Sequence, residues 1–128
     1  MPKKKVFVSF DYSYDLNLKR SLVAQSREPD SPFSINDFSL QESEPEETWL
    51  DEAQSKIARC DVFIAIVGKN THSAPGVLKE VAIAKGSRKP RFQIRPKGKD
   101  YGEVADAGEL VAWTWKNLKR QFDDLAAR

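Results

Sequence analysis

An α/β fold with a parallel sheet is predicted by three features of the sequence. Short β-favouring segments alternate with amphipathic ones along the chain. One apolar segment, Val62–Val67, is unbroken between Asp61 and Gly68, as suits a central strand buried on both faces. Five candidate strands fit within 128 residues. Alternation of this kind builds a doubly wound sheet, since every parallel crossover supplies a covering helix. Five strands suit a flavodoxin-like three-layer arrangement, with helices on both faces, better than the six-stranded dinucleotide fold. The length suits a single domain, residues 1–128, with a core of its own.

The first strand is read at Lys5–Phe10, where Val6, Phe7, Val8 and Phe10 favour β structure. Asp11–Asp15 follows as a polar and aromatic loop with several helix-capping candidates. Leu18, Leu22 and Ser26 stand at helical spacing and predict a helix ending near Ser26. Arg27–Pro32 is a loop. Phe33–Ile35 is a short second strand at or near a sheet edge, because Pro32 cannot donate to a ladder. A loop over Asn36–Glu44 leads to a second helix opened by Pro45, with Ser43 and Glu46 matching a capping box. Trp49, Ala53 and Ile57 mark its inner stripe and Cys60 its end.

The unbroken run supplies the third strand, Lys69–Ala74 a polar loop, and Pro75 the first turn of a third helix. Arg91–Ile94 is a fourth strand closed by Pro96, and Leu110–Ala112 a short fifth, with a loop over Lys97–Gly108 between them. Trp113–Leu125 is an amphipathic helix with Leu118, Phe122 and Leu125 on one face.

Composition excludes more than it assigns. Apolar residues make up 40% and charged residues 31%, and a net charge of +2 is too small to argue for nucleic acid. Acids crowd the segment around Glu42–Glu52, and bases the stretch Lys85–Lys99. The two blocks read as solvated surfaces, with polyphosphate binding or head-to-tail pairing with a neighbouring subunit of a homo-oligomer as alternatives. Cys60 is the only cysteine, so no internal disulfide is possible and a reducing, cytoplasmic compartment is expected. No apolar run approaches the ~20 residues of a membrane span.

Familiar catalytic signatures are absent as well. No glycine-rich phosphate loop follows the first strand, and no G-x-S-x-G elbow occurs. One histidine and one cysteine cannot build an ordinary zinc site, so no metal is expected. The third strand ends Ile66-Val67-Gly68, without the aspartate a phosphoryl receiver requires.

What remains lies where open α/β sheets bind ligands, at the C-terminal ends of the strands. Ser9, Phe10, Asp11 and Ser13 follow the first strand; Asp37 and Ser39 the second; Asn70, Thr71 and His72 the third. Glu80 stands behind them on the third helix, flanked by Val77 and Ala84. One carboxylate, an aromatic wall and several hydroxyls suit a ribosyl group, because cleaving an N-glycosidic bond creates an oxocarbenium-like centre that a carboxylate stabilises. Structural alternatives stay open for each: Glu80 at the helix border or paired with Lys79 or Lys85, Phe10 in the core, Asp11 as a cap, Asp37 in a turn, His72 facing solvent.

KVFVSFDYSYD, SPFSINDFSL, the long block ETWLDEAQSKIARCDVFIAIVGKNTHSAPGVLKEVAIA and WTWKNL occur in that order. In order and spacing they resemble the TIR-like domains related to the sensor enzyme of the bacterial Thoeris antiphage system, within the TIR superfamily. The resemblance covers most of the chain. It implies a flavodoxin-like five-stranded fold and cleavage of NAD, as substrate rather than cofactor, into a cyclic ADP-ribose-type signal read by a separate effector protein. It places Glu80 at the catalytic glutamate. Phe10, Asp11 and Ser13 fall in the first loop of the nucleotide pocket, Asp37 and Ser39 in the second, and His72 in the third. Two other readings compete: a non-catalytic TIR-type interaction and oligomerisation module, and a nucleoside deoxyribosyltransferase-like enzyme.

Overall fold

The structure, a computed structural model, describes residues 3–38 and 46–126. Five parallel strands form one sheet in the order β2-β1-β3-β4-β5: β1 Lys4–Ser9, β2 Phe33–Phe38, β3 Val62–Ile66, β4 Arg91–Pro96 and β5 Glu109–Trp113. Four α-helices connect and cover them: α1 Leu16–Ser26, α2 Glu46–Arg59, α3 Pro75–Gly86 and α4 Trp115–Ala126. The doubly wound, three-layer α/β fold is the one the alternation predicts, and β3 is its central strand.

Strand periodicity sorts the side chains into two cores. Val6, Val8, Ile64, Ile66, Phe92 and Ile94 face α1 and α4, where Leu22, Leu118 and Phe122 meet them. Phe33 stacks on Phe122 at 5.1 Å, and Phe92 meets the same ring edge-on at 5.8 Å. Phe7, Phe63, Ala65 and Val67 face the other way, onto Trp49, Ala53 and Ile57 of α2 and Val77, Val81 and Ala84 of α3. The predicted stripe of α2 is thus the buried one. Cys60 closes that core as a small buried side chain, and burial pushes its thiol up.

Three boundaries differ from the sequence reading. β2 is an edge strand, as Pro32 suggests, but it runs on to Phe38. A register shift in the pairing between Val6 and Phe7 passes over Asn36, and Asp37 and Phe38 stay paired to Phe7 and Val8. Asp37 therefore belongs to a strand and not to a loop. β5 likewise extends to Trp113, so that residue is not helical. Within Lys69–Ala74, Thr71–Ser73 forms a 3-10 turn. Ser39 and Ser43, and with Ser43 the expected capping pair, lie outside the described residues.

No helix separates β4 from β5. Gln93, wholly buried, donates through Nε2 to the carbonyls of Val104 and Gly108 at 3.0 and 2.9 Å, and its Oε1 accepts from the Val104 N–H at 2.7 Å. One buried side chain ties two points of the connection to the sheet. Gly108 sits at φ +88, and a Cβ there would overlap the Arg91 carbonyl, so only glycine lets the loop close onto the sheet.

Candidate active site at the C-terminal rim of the sheet

α3 starts with Pro75 in its first turn, and its buried positions are Val77, Glu80, Val81 and Ala84. Spacings of three and four put Glu80 on the same inner face as its apolar neighbours. The glutamate is wholly buried, and the Ser9 hydroxyl donates to its Oε1 at 2.7 Å. Ser9 is placed by strand alternation: it ends β1 on the same face as Phe7, turned toward α3. A buried carboxyl is costly unless it is hydrogen-bonded, so this pairing is a built feature and not a border accident.

Phe7, Phe38, Trp49, Ala53, Glu52 and Lys56 enclose Glu80 in a crevice of about 160 Å³ that has no room for a water-sized sphere. Beside it on the same rim a cleft of about 440 Å³ is open to solvent. Asp11, Ser13 and Tyr14 of the β1–α1 loop line one side, and Asn70, Ser73 and Pro75 the other. Tyr14 is 73% exposed. The rim thus offers an enclosed carboxylate and a neighbouring polar cleft carrying an aromatic ring.

The expected site residues separate into groups. Asp11 is buried and accepts from the Ser13 N–H at 3.1 Å, and both residues line the cleft. Phe10 does not. It is fully buried on the α1/α4 side, stacked with Tyr12 at 5.7 Å, because alternation along β1 turns it away from Ser9. Asp37, carried into β2 by the register shift, faces Arg59 at 3.9 Å, and Phe38 in its place reaches the Glu80 crevice. His72 is exposed in the 3-10 turn, with its ring toward Gly102. Among the described residues no group of His, Cys, Asp and Glu side chains could hold a metal ion.

Four residues of the rim escaped the sequence reading: Asp15, Gly68, Phe38 and Tyr14. Asp15 is buried at the start of α1 and takes a hydrogen bond from Thr71 at 3.0 Å. Phe38 carries the Lys19 ammonium 4.0 Å above its ring. The partner of Asp15 stands 56 positions away in sequence and leaves no local signal, whereas Tyr14, an aromatic in a polar loop, carried one that could have found it.

A sequence model of the family described as Thoeris protein ThsB, TIR-like domain, matches residues 7–101, well over half the chain. The chain belongs to this family. Curated proteins provide no match. Solved structures do: this TIR-like domain superposes on the Clostridium botulinum CMP N-glycosidase BcmB with a TM-score of 0.55 and 17% identity, covering 97% of this chain and 98% of that one. A prokaryotic SEFIR domain gives a TM-score of 0.55 and 13% identity, covering 98% and 91%. At these identities the likeness shows the shared fold.

Another hollow of the TIR-like domain, about 590 Å³, lies at the opposite rim among Lys85, Arg88, Lys89, Arg91, Glu109 and Asp124. Lys89 is bonded to the Ala58 and Cys60 carbonyls and Arg91 to those of Asp106 and Lys89. These cations close loop and helix ends there, and two carboxylates dilute their field. No helix among the described residues is long and apolar enough to cross a membrane.

Proposed function

We propose that this TIR-like domain cleaves the N-glycosidic bond between nicotinamide and ribose in NAD, with Glu80 as the catalytic carboxylate. The observation that carries the reading is the buried Glu80, held by Ser9 at the C-terminal rim of the central strands. A carboxylate buried among Phe7, Phe38, Trp49 and Ala53, with Glu52 and Lys56 at the same crevice, is costly for stability and suited to stabilising developing positive charge. As the bond from C1′ to the nicotinamide nitrogen breaks, its electron pair leaves with the base and Glu80 faces the oxocarbenium-like ribose. Attack by water gives ADP-ribose; attack by the adenine of the same molecule gives a cyclic product, the form suited to a signal read by a separate effector in antiphage defence. The open cleft beside Asp11 and Tyr14 would take the remainder of the nucleotide.

Incubation of the protein with NAD, and in parallel with CMP, followed by chromatography for nicotinamide, cytosine and ribosyl products, tests this directly. The expected result is nicotinamide release, lost in Glu80→Gln. Cytosine release with NAD untouched would move the assignment to the reaction that BcmB is named for.

One observation favours a second reading. The crevice around Glu80 is closed, so substrate reaches the carboxylate only if Trp49 or Phe38 gives way. A non-catalytic interaction module would keep it closed permanently. Absence of turnover at every protein concentration, with salt-sensitive self-association, would establish that reading instead.

A further inference from the structure

The two loops flanking the open cleft are tied to each other at a point away from Glu80. The Gly68 N–H, immediately beyond β3, donates to Thr71 Oγ1 at 2.7 Å, and the Thr71 hydroxyl donates to Asp15 Oδ2 at 3.0 Å. Thr71 is wholly enclosed and Asp15 is 7% exposed. Asp15 occupies the capping position of α1, yet its side chain makes no capping hydrogen bond. A side chain that ordinarily closes its own helix has been turned to another loop. Gly68 makes the space: a Cβ there would overlap the Asp15 carboxylate. Neither Asp15 nor Thr71 lines the cleft; their neighbours Asp11, Ser13, Tyr14, Asn70 and Ser73 do.

We propose that Asp15 and Thr71 are positioning residues, whose hydrogen bond holds the β1–α1 loop and the β3–α3 loop at the separation that shapes the substrate cleft. The inference rests on the N-glycosidic reading above. The β1–α1 loop continues from Ser9, and the β3–α3 loop leads into the helix carrying Glu80. One buried bond therefore sets the separation of the cleft walls. Misplacement of binding groups by about 1 Å is enough to cost up to about a hundredfold, and where the displaced groups only bind substrate the loss falls on KM.

The test compares steady-state NAD cleavage by the wild-type protein, Thr71→Val, Thr71→Ser and Asp15→Ala, together with hydrogen exchange at the Gly68 amide. Thr71→Val keeps the volume and removes the hydroxyl; Thr71→Ser keeps the hydroxyl. The expected result is a KM raised about tenfold or more in Thr71→Val and Asp15→Ala, with kcat within about threefold. Thr71→Ser restores KM, and the Gly68 amide exchanges faster in Thr71→Val. If Thr71→Val does not fold, Asp15→Ala carries the same comparison. Wild-type KM in Thr71→Val and Asp15→Ala, alongside a deprotected Gly68 amide, overturns the positioning role and leaves the cleavage reading intact. A wild-type protein that cleaves no NAD overturns the cleavage reading, and the positioning role with it.

Discussion

Glu80 and Gln93 are both wholly buried on the same face of the sheet, and they are buried for different reasons. Gln93 is neutral, and its amide is matched by main-chain groups of Val104 and Gly108, so its partners belong to the architecture. It does for the β4–β5 connection what a crossover helix does elsewhere. Glu80 is an acid whose Oε1 is held by a side-chain hydroxyl, at the rim where the strands end. A neutral buried group tied to the main chain fixes a loop; a buried acid tied to another side chain keeps an ionisable group inside the fold. The two positions give opposite outcomes when each is made inert.

The largest effect is expected at Glu80. Glu80→Gln keeps the shape and a partner for Ser9 but removes the ionisable group. NAD cleavage falls by at least about a hundred- to a thousandfold, the scale set by removal of one transition-state stabilising group. Thermal stability holds or rises, since a buried ionisable group is replaced by a neutral one of the same shape. Activity that survives the substitution would place the chemistry elsewhere on the rim.

Gln93→Met should do the reverse. It leaves the Val104 N–H and the Val104 and Gly108 carbonyls without their side-chain partner, at a cost of about 2–3 kcal/mol. The midpoint of thermal unfolding drops by roughly 10 °C. Turnover per folded molecule at low temperature stays at the wild-type level. A loss of kcat without loss of stability would mean that the β4–β5 connection takes part in the reaction.

Ser9→Ala tests the contact that distinguishes Glu80. Removing a hydrogen bond to a charged group costs about 1.5–3 kcal/mol in general. Part of that is expected in turnover, as a fall of about tenfold measured at saturating NAD. A change in KM alone would make Ser9 a substrate contact instead of a partner of Glu80.

Much of this contrast could be read from the chain. The sheet, the covering helices and the inner stripe of α2 follow from periodicity, because burial of apolar residues is a local pattern. Glu80 was legible for the same reason: its spacing from Val77 and Ala84 puts it on the buried face. Phe10 takes the core alternative that its strand-end position left open, because one further step of β alternation turns it away from the rim. Asp37 left the loop because a register shift is a property of the strand pair, invisible in one strand's sequence. Gln93, Asp15 and Thr71 look like ordinary polar residues until chain topology supplies partners 11 and 56 positions away.

The smallest expected effect belongs to Asp15 and appears in the pH dependence of stability. Burial raises its carboxyl above the ordinary 3.8, the Thr71 hydrogen bond offsets part of that, and the nearby Asp11 charge adds to it. The folded protein therefore holds this proton more tightly than the unfolded chain does. Below 3.8 both states are protonated, and the contribution is fully present. As pH rises from 3.8 through the higher folded value, the folded state gives up the proton against burial and stability is lost. Asp15→Asn cannot ionise, so urea unfolding of the two proteins between pH 3.5 and 7 should show the variant gaining on the wild type as pH rises through that window. A gap that shrinks with rising pH would mean that Asp15 is stabilised as an anion. The wild-type residue accepts this cost because an ionised carboxylate can only accept. It thereby fixes the direction of the chain from the Gly68 N–H through the Thr71 hydroxyl, which an amide, able to turn its NH₂ toward Thr71, would leave undecided.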